Sequence, residues 1–245
     1  MDRQKAWGVV SSQIASVMPI PFLRSMLLFA ILASASVSAQ EFEYKVKYGL
    51  IQAGTAKLSL IEESGLLTSS LTIQSSPWLS NLWTLSDSIS SSYQIETKKM
   101  VRHEKAIHEG GYHRRYQVDF LDSNQVRINL KVKDLDWDEI LDIPSLIYVL
   151  SHSRFEEGDT LRYRLWDGRG EGQLDLLVKN PRRRTLLHPL GAEEGWELIP
   201  MSSTKKSREN GIQLSIHMSR GFPHIPERIE MDTKYGAVQM HLAGS

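Results

Sequence analysis

The 245-residue chain has no cysteine, which excludes disulfides, thiolate chemistry and the lipid-modified cysteine that anchors a bacterial lipoprotein. It has no net charge either, since 29 Lys and Arg balance 29 Asp and Glu. Nothing electrostatic therefore points to nucleic acid or an anionic membrane as its main partner. The longest apolar run, Met26 to Ala33, falls well short of the ~20 residues that a membrane-spanning helix needs. Common catalytic signatures are missing as well. There is no G-x-S-x-G elbow, and His103-Glu104-Lys105-Ala106-Ile107-His108 has one residue too many between its Glu and second His for the zinc-protease motif H-E-x-x-H.

The apolar run has a meaning of its own. It follows Arg24 and leads into Ser34-Ala35-Ser36-Val37-Ser38-Ala39, so a basic residue, a short apolar stretch and an A-x-A-like site stand in the order that signal peptidase reads. Residues 1–39 are thus expected to be a cleavable signal. Met18 opens a segment of ordinary signal length, which makes it the expected translation start. Residues 40–245 then form one β-rich domain, with 26 basic against 28 acidic residues, a net charge of −2. The expected destination is the periplasm or the outer-membrane surface, without a lipid anchor and without a transmembrane anchor after processing.

Period-two alternation begins at once. Phe42, Tyr44, Val46 and Tyr48 interleave with Glu41, Glu43, Lys45 and Lys47, giving a strand with one aromatic and one charged face. Gly49, Ala53 and Gly54 interrupt the pattern and predict a bent hairpin or a kinked strand. Similar stretches predict strands at 67–75, 88–96, 100–109, 112–121, 125–133, 160–166, 173–179, 196–200, 212–218, 227–232 and 237–242. Turn sequences separate them: Gly110-Gly111, Asp122-Ser123-Asn124, Asp167-Gly168 and Asn210-Gly211. The fold class is all-β and mainly antiparallel: a single curled sheet, half-barrel or barrel-like. Asp142-Ile143-Pro144 followed by Leu146, Ile147 and Leu150 predicts one short helix near 144–151 that plugs the core. The stretch Trp78 to Trp83 is either a helical turn or an aromatic loop.

If Gly110-Gly111 is a two-residue hairpin loop, His108 faces His113 and Arg102 faces Asp119. Two imidazoles fall short of the three or four ligands of a stable metal site, so His108 and His113 are the metal candidates to examine, and a solvated strand face is expected. Asp134 to Glu139 lacks the Gly and Glu places of a calcium loop. Gly168-Arg169-Gly170-Glu171-Gly172 has strands on both sides instead of a following helix, so it is a hairpin tip and not a phosphate cradle. Curling of the sheet directs one face of each strand inward, and Tyr44, Tyr48, Tyr112, Tyr116 and Tyr148 are the candidate ligand-binding residues, with most aromatics expected in plain core.

Several segments, taken in order, resemble the bacterial exported family named domain of unknown function 3108. They are Phe42-x-Tyr44-x-Val46-x-Tyr48-Gly49-x-Ile51-x-Ala53-Gly54-Thr55-Ala56, Gly111-Tyr112-His113-Arg114-Arg115, Asp142-Ile143-Pro144-Ser145-Leu146-Ile147-Tyr148, Gly158-Asp159-Thr160, and Pro226-Glu227-Arg228-Ile229 leading to Tyr235-Gly236-Ala237-Val238. The resemblance implies an exported antiparallel β domain around a short helix, like periplasmic lipoprotein carriers, and it brings no catalytic residues to transfer. The expected function is a non-enzymatic envelope domain, without cofactor, that binds a lipid or other amphipathic ligand. The alternatives are a structural or assembly partner in the envelope, and a hydrolase with a dispersed site. An open concave face favours the carrier, and a packed one favours the scaffold.

Overall fold

The structure is a computed structural model that describes residues 37–80, 84–121, 124–136, 139–168, 170–180, 195–201, 214–233 and 236–244. The expected signal therefore lies outside the described residues, apart from its last three positions. The first alternating segment is strand β1 (Val37–Tyr48), with Tyr44 and Val46 buried and the charged residues between them outward. It is followed by β2 (Ile51–Glu63), β3 (Leu66–Ser75), the single turn α1 (Pro77–Ser80), β4 (Ser86–Gln94), β5 (Lys99–Glu109), β6 (Tyr112–Leu121), β7 (Gln125–Ile128) and β8 (Lys131–Asp134). Helix α2 (Ile143–Ser151) comes next, then β9 (Thr160–Trp166), β10 (Glu171–Lys179), β11 (Gly195–Pro200), β12 (Leu214–Ser219), β13 (Pro226–Thr233) and β14 (Gly236–Leu242).

Among the described residues the strands form one antiparallel sheet, in the order β8-β7-β6-β5-β4-β3-β2-β1-β14-β13-β12-β11-β10-β9. Two meanders are thus joined where β1 pairs with β14, with Tyr44 opposite Leu242 and Val46 opposite Met240. The expected registers hold: His108 faces His113 and Arg102 faces Asp119 across the Gly110-Gly111 loop. One expected strand is divided. Residues 125–133 split into β7 and β8 because Asn129 adopts a left-handed conformation (φ 55°), which an Asn side chain tolerates better than most, and so turns the chain.

At Gly54 the neighbouring strand β3 comes unusually close. A Cβ on Gly54 would lie 2.0 Å from the Gln74 carbonyl oxygen, so no side chain fits there. Beside it Ala53 is the extra residue of a bulge, as Val46 pairs with Gly54 and Lys47 with Gln52. The Ala53 carbonyl accepts the Ser76 N–H at 2.8 Å.

The helix starts where the sequence places it. Asp142 is the N-cap, with extended backbone and a side-chain oxygen accepting the Ser145 N–H at 3.0 Å. Proline near the first position is compatible with a helix start. Leu146, Ile147 and Leu150 are fully buried and pack among Leu58, Leu71, Leu176, Leu198, Ile216, Ile229 and Met240. The concave face is therefore packed around α2, which decides the sequence question in favour of a filled interior.

The two ends of the sheet meet at a seam. Trp166 at the end of β9 packs with Val118 of β6, Val126 of β7 and Ile140 in a second, smaller core, with the Phe120 ring edge-on at 5.7 Å. The chain after β8 lays Leu141 on the edge of β9: its N–H donates to the Arg164 carbonyl at 2.9 Å and its carbonyl accepts the Trp166 N–H at 2.7 Å. The open sheet is drawn into a barrel-like coil by these side chains and by two backbone hydrogen bonds.

Candidate functional site

The five candidate tyrosines do not gather at one place. Tyr44 is buried in the core, where its hydroxyl donates to the Pro226 carbonyl at 2.9 Å, and burial raises its phenol pKa far above the ordinary value. Tyr48 and Tyr112 are exposed at hairpin tips, Tyr112 with the Arg114 guanidinium over its ring. Tyr116 is half-buried on β6. Tyr148, on α2, lines a cleft.

That cleft, of about 910 Å³, is bounded by the β4–β5 turn, by α2, by the chain leading to Leu141 and by the edge of β9. Its apolar lining includes Ile95, Leu141 and Val149, together with the rings of Tyr93, Tyr148 and Tyr163. Lys98, Arg162 and Arg164 bring three cations to it, against the carboxylates of Asp136 and Glu139, and His152 stands at its α2 wall. Several of these charges are already engaged at the surface: Lys98 lies 3.8 Å from Glu139, and Arg162 Nε donates to Asp175 at 2.9 Å.

The phenols here are not poised to ionise. Burial, then the nearby Glu139 and Tyr163, push Tyr93 up to about 12. Tyr148 is raised by burial and by donating to the Glu62 carboxylate at 2.6 Å. Burial raises Tyr163 too, partly offset by Ser153. All three hydroxyls are therefore neutral hydrogen-bonding groups beside an apolar floor.

A second polar cluster lies beneath α2, and its side chains do not line the cleft. His103 of β5 and Asp142 are both fully buried, with Nδ1 and Oδ2 3.1 Å apart. The hydroxyls of Ser69, Ser91 and Ser145 bond one another at 2.8, 3.2 and 3.4 Å. Burial alone raises the Asp142 carboxyl, but the His103 ring, the Ser145 amide and the Ser91 hydroxyl more than offset it, so the group sits below the ordinary carboxylate range. His103 Nε2 is buried without a hydrogen-bond partner, and Gly168 (φ 98°) stands over it, 3.6 Å from the ring to the place of a Cβ. Ser, His and Asp thus occur together, but no hydroxyl stands at the Nε2 side where a nucleophile belongs. The cluster fastens the start of α2 to β3, β4 and β5.

His108 and His113 form the expected cross-strand pair, with ring centroids 4.9 Å apart. Among the described residues no group of three or more His, Asp or Glu side chains is arranged to hold a metal. Asp136 and Glu139 of the acidic stretch line the cleft, while residues 137–138 lie outside the described residues, as do 81–83 of the aromatic stretch, 122–123 of one turn, and Asn210-Gly211. No helix among the described residues is long and apolar enough to cross a membrane.

A coiled antiparallel sheet around one buried helix belongs to the barrel-like β class. A solved structure of that class is similar to it: the crystal structure of a beta-barrel-like protein of domain of unknown function DUF1849 from Brucella abortus. The two chains are 10% identical and superpose with a TM-score of 0.57, over 86% of this chain and 98% of the other. At that identity the likeness is one of fold. Among curated proteins no significant match is found. The family model described as "Protein of unknown function (DUF3108)" matches residues 43–243, and the chain belongs to that family.

Proposed function

We propose that this chain is an exported, non-enzymatic binding domain of the cell envelope that takes an amphipathic ligand in the cleft at the seam. The observation that carries this reading is the division of the cleft lining. Ile95, Leu141 and Val149 offer an apolar floor, while Lys98, Arg162, Arg164 and the Tyr93 and Tyr163 hydroxyls offer donors to a polar or anionic head. A space of about 910 Å³ is of the size that small-molecule sites have. Because the interior is filled by α2, the ligand lies along the outside of the helix and not in a central lumen. The export signal supports the location, and the order of basic residue, apolar run and small residues is its basis.

A fluorescent fatty-acid analogue tests the binding. Saturable binding to the wild-type protein is expected. Val149→Trp, which fills the cleft with an apolar ring, is expected to weaken it about tenfold or more, since one buried apolar side chain is worth roughly that factor. Equal affinity of the two proteins at unchanged thermal stability refutes the site.

The filled interior is also the observation that favours a second reading, a scaffold or assembly partner in the envelope. Crosslinking in cells separates the two: one dominant protein adduct is the mark of the scaffold. The third sequence-based alternative, a hydrolase with a dispersed site, has less in its favour, because the buried His103 and Asp142 do not line the cleft.

A further inference from the structure

The end of the barrel away from the cleft carries exposed apolar side chains on three adjacent connections. On the β1–β2 tip Leu50 is wholly exposed, Ile51 is 56% exposed and Tyr48 is 42% exposed. Next to it, in α1, Trp78 is 53% exposed. Beyond that stands Tyr112 at the β5–β6 tip. The three connections form one rim, because backbone hydrogen bonds stitch them together: Ser76 N–H to the Ala53 carbonyl at 2.8 Å, and Gly110 N–H to the Thr84 carbonyl at 2.7 Å.

We propose that this rim inserts its apolar tips into the surface of a lipid bilayer. The side chains are divided between two hairpin tips and the helical turn α1. A deformable lipid interface accepts such separated tips, whereas a protein surface would need a matching hole for each. Their chemistry is also interfacial, with Trp and Tyr beside Leu and Ile. Lys47 and Arg114 flank the tips, where they meet lipid phosphates. Two carboxylates of the rim oppose this, Asp87, whose oxygen accepts the His108 N–H at 3.0 Å, and Glu109 at the β5–β6 tip, so the apolar side chains and not the charges carry the insertion. Docking in this way leaves the cleft facing away from the bilayer, because β4 runs from the rim to the turn that bounds the cleft.

The absence of cysteine makes the test direct. A single label is introduced as Leu50→Cys and, in a separate protein, as Glu63→Cys at the far end of β2, roughly 40 Å away for a 13-residue strand. Both are mixed with vesicles of phosphatidylethanolamine and phosphatidylglycerol, using an environment-sensitive fluorophore. A blue shift at position 50 and none at position 63 is expected, as is co-sedimentation of the unlabelled protein with vesicles. The doubly substituted Leu50→Ser, Trp78→Ser protein is expected to co-sediment about tenfold less or weaker still, with its cleft affinity for the fatty-acid analogue unchanged. A silent label at position 50, equal responses at both positions, or undiminished sedimentation of the double variant overturns the proposal. So does a wild-type dimer that the double variant abolishes while vesicles have no effect, since the rim is then an interface between copies of the chain.

Discussion

Replacing Asp142 with alanine is expected to destabilise the fold by about 3–5 kcal/mol, the usual cost of removing one partner of a buried, hydrogen-bonded pair. Asp142 serves two structures at once. Its Oδ1 caps α2 through the Ser145 N–H, and its Oδ2 holds the buried His103 ring. Alanine leaves a helix N-terminus, an imidazole and the Ser91 hydroxyl without their acceptor inside the core. Asp142→Asn keeps an oxygen for the cap and loses the charge, so an intermediate loss is expected.

The same group gives a pH signature. Its carboxyl is held below the ordinary value of 3.8, so its contribution to stability is fully present above that value and is lost as the pH falls through the lower, folded value. The difference in urea midpoint between wild type and Asp142→Asn is therefore expected to be constant at neutral pH and to shrink below about pH 4. A difference that stays constant to pH 2, or an alanine variant less than about 1 kcal/mol weaker than wild type, contradicts the buried pair.

Trp166→Ala is expected to have an effect of similar size, about 3–5 kcal/mol, because a large buried aromatic is replaced by a cavity. Its consequence is local as well as global. Trp166 links β9 to β6, β7 and Ile140, and the hydrogen bonds of Leu141 to the edge of β9 depend on that closure. Faster amide exchange is thus expected at Leu141 and Trp166 before it rises in β1, β2 and β3. Trp166→Leu, which retains apolar bulk, serves where the alanine variant fails to fold, and should show the same order of exchange at smaller cost. Exchange that rises uniformly over the sheet would mean that the seam is not a separate closure.

Much of the sheet was legible in the sequence, because hairpins are local. The Gly110-Gly111 loop and the Arg102 and Asp119 charges set the β5–β6 register, and the Asp-Ile-Pro-Ser sequence marked the start of α2. The β7–β8 turn was missed because Asn129-Leu130 lacks the glycine that usually marks so tight a turn. The candidate site was far less legible. Tyr148 is a candidate only as one of the aromatics of a curled sheet, and it lines the cleft from α2, while Tyr93, Arg162 and Arg164 reach the cleft only because the sheet coils until its ends meet. Twist accumulated over many strands determines that closure, and no short pattern encodes it. His103 did carry a readable signal: it shares the inward face of β5 with Ile107, two pairs along. Its partners on β3, β4 and α2 lie outside the reach of local pattern.

The central claim, a ligand held in the seam cleft outside a filled core, is tested most directly by native mass spectrometry of the protein purified from the envelope of its own cells. The wild-type protein is expected to carry a non-covalent adduct that organic solvent extracts as an amphipathic small molecule, and Val149→Trp is expected to lose it. A wild-type protein of bare polypeptide mass that also fails to bind the fatty-acid analogue would contradict the account.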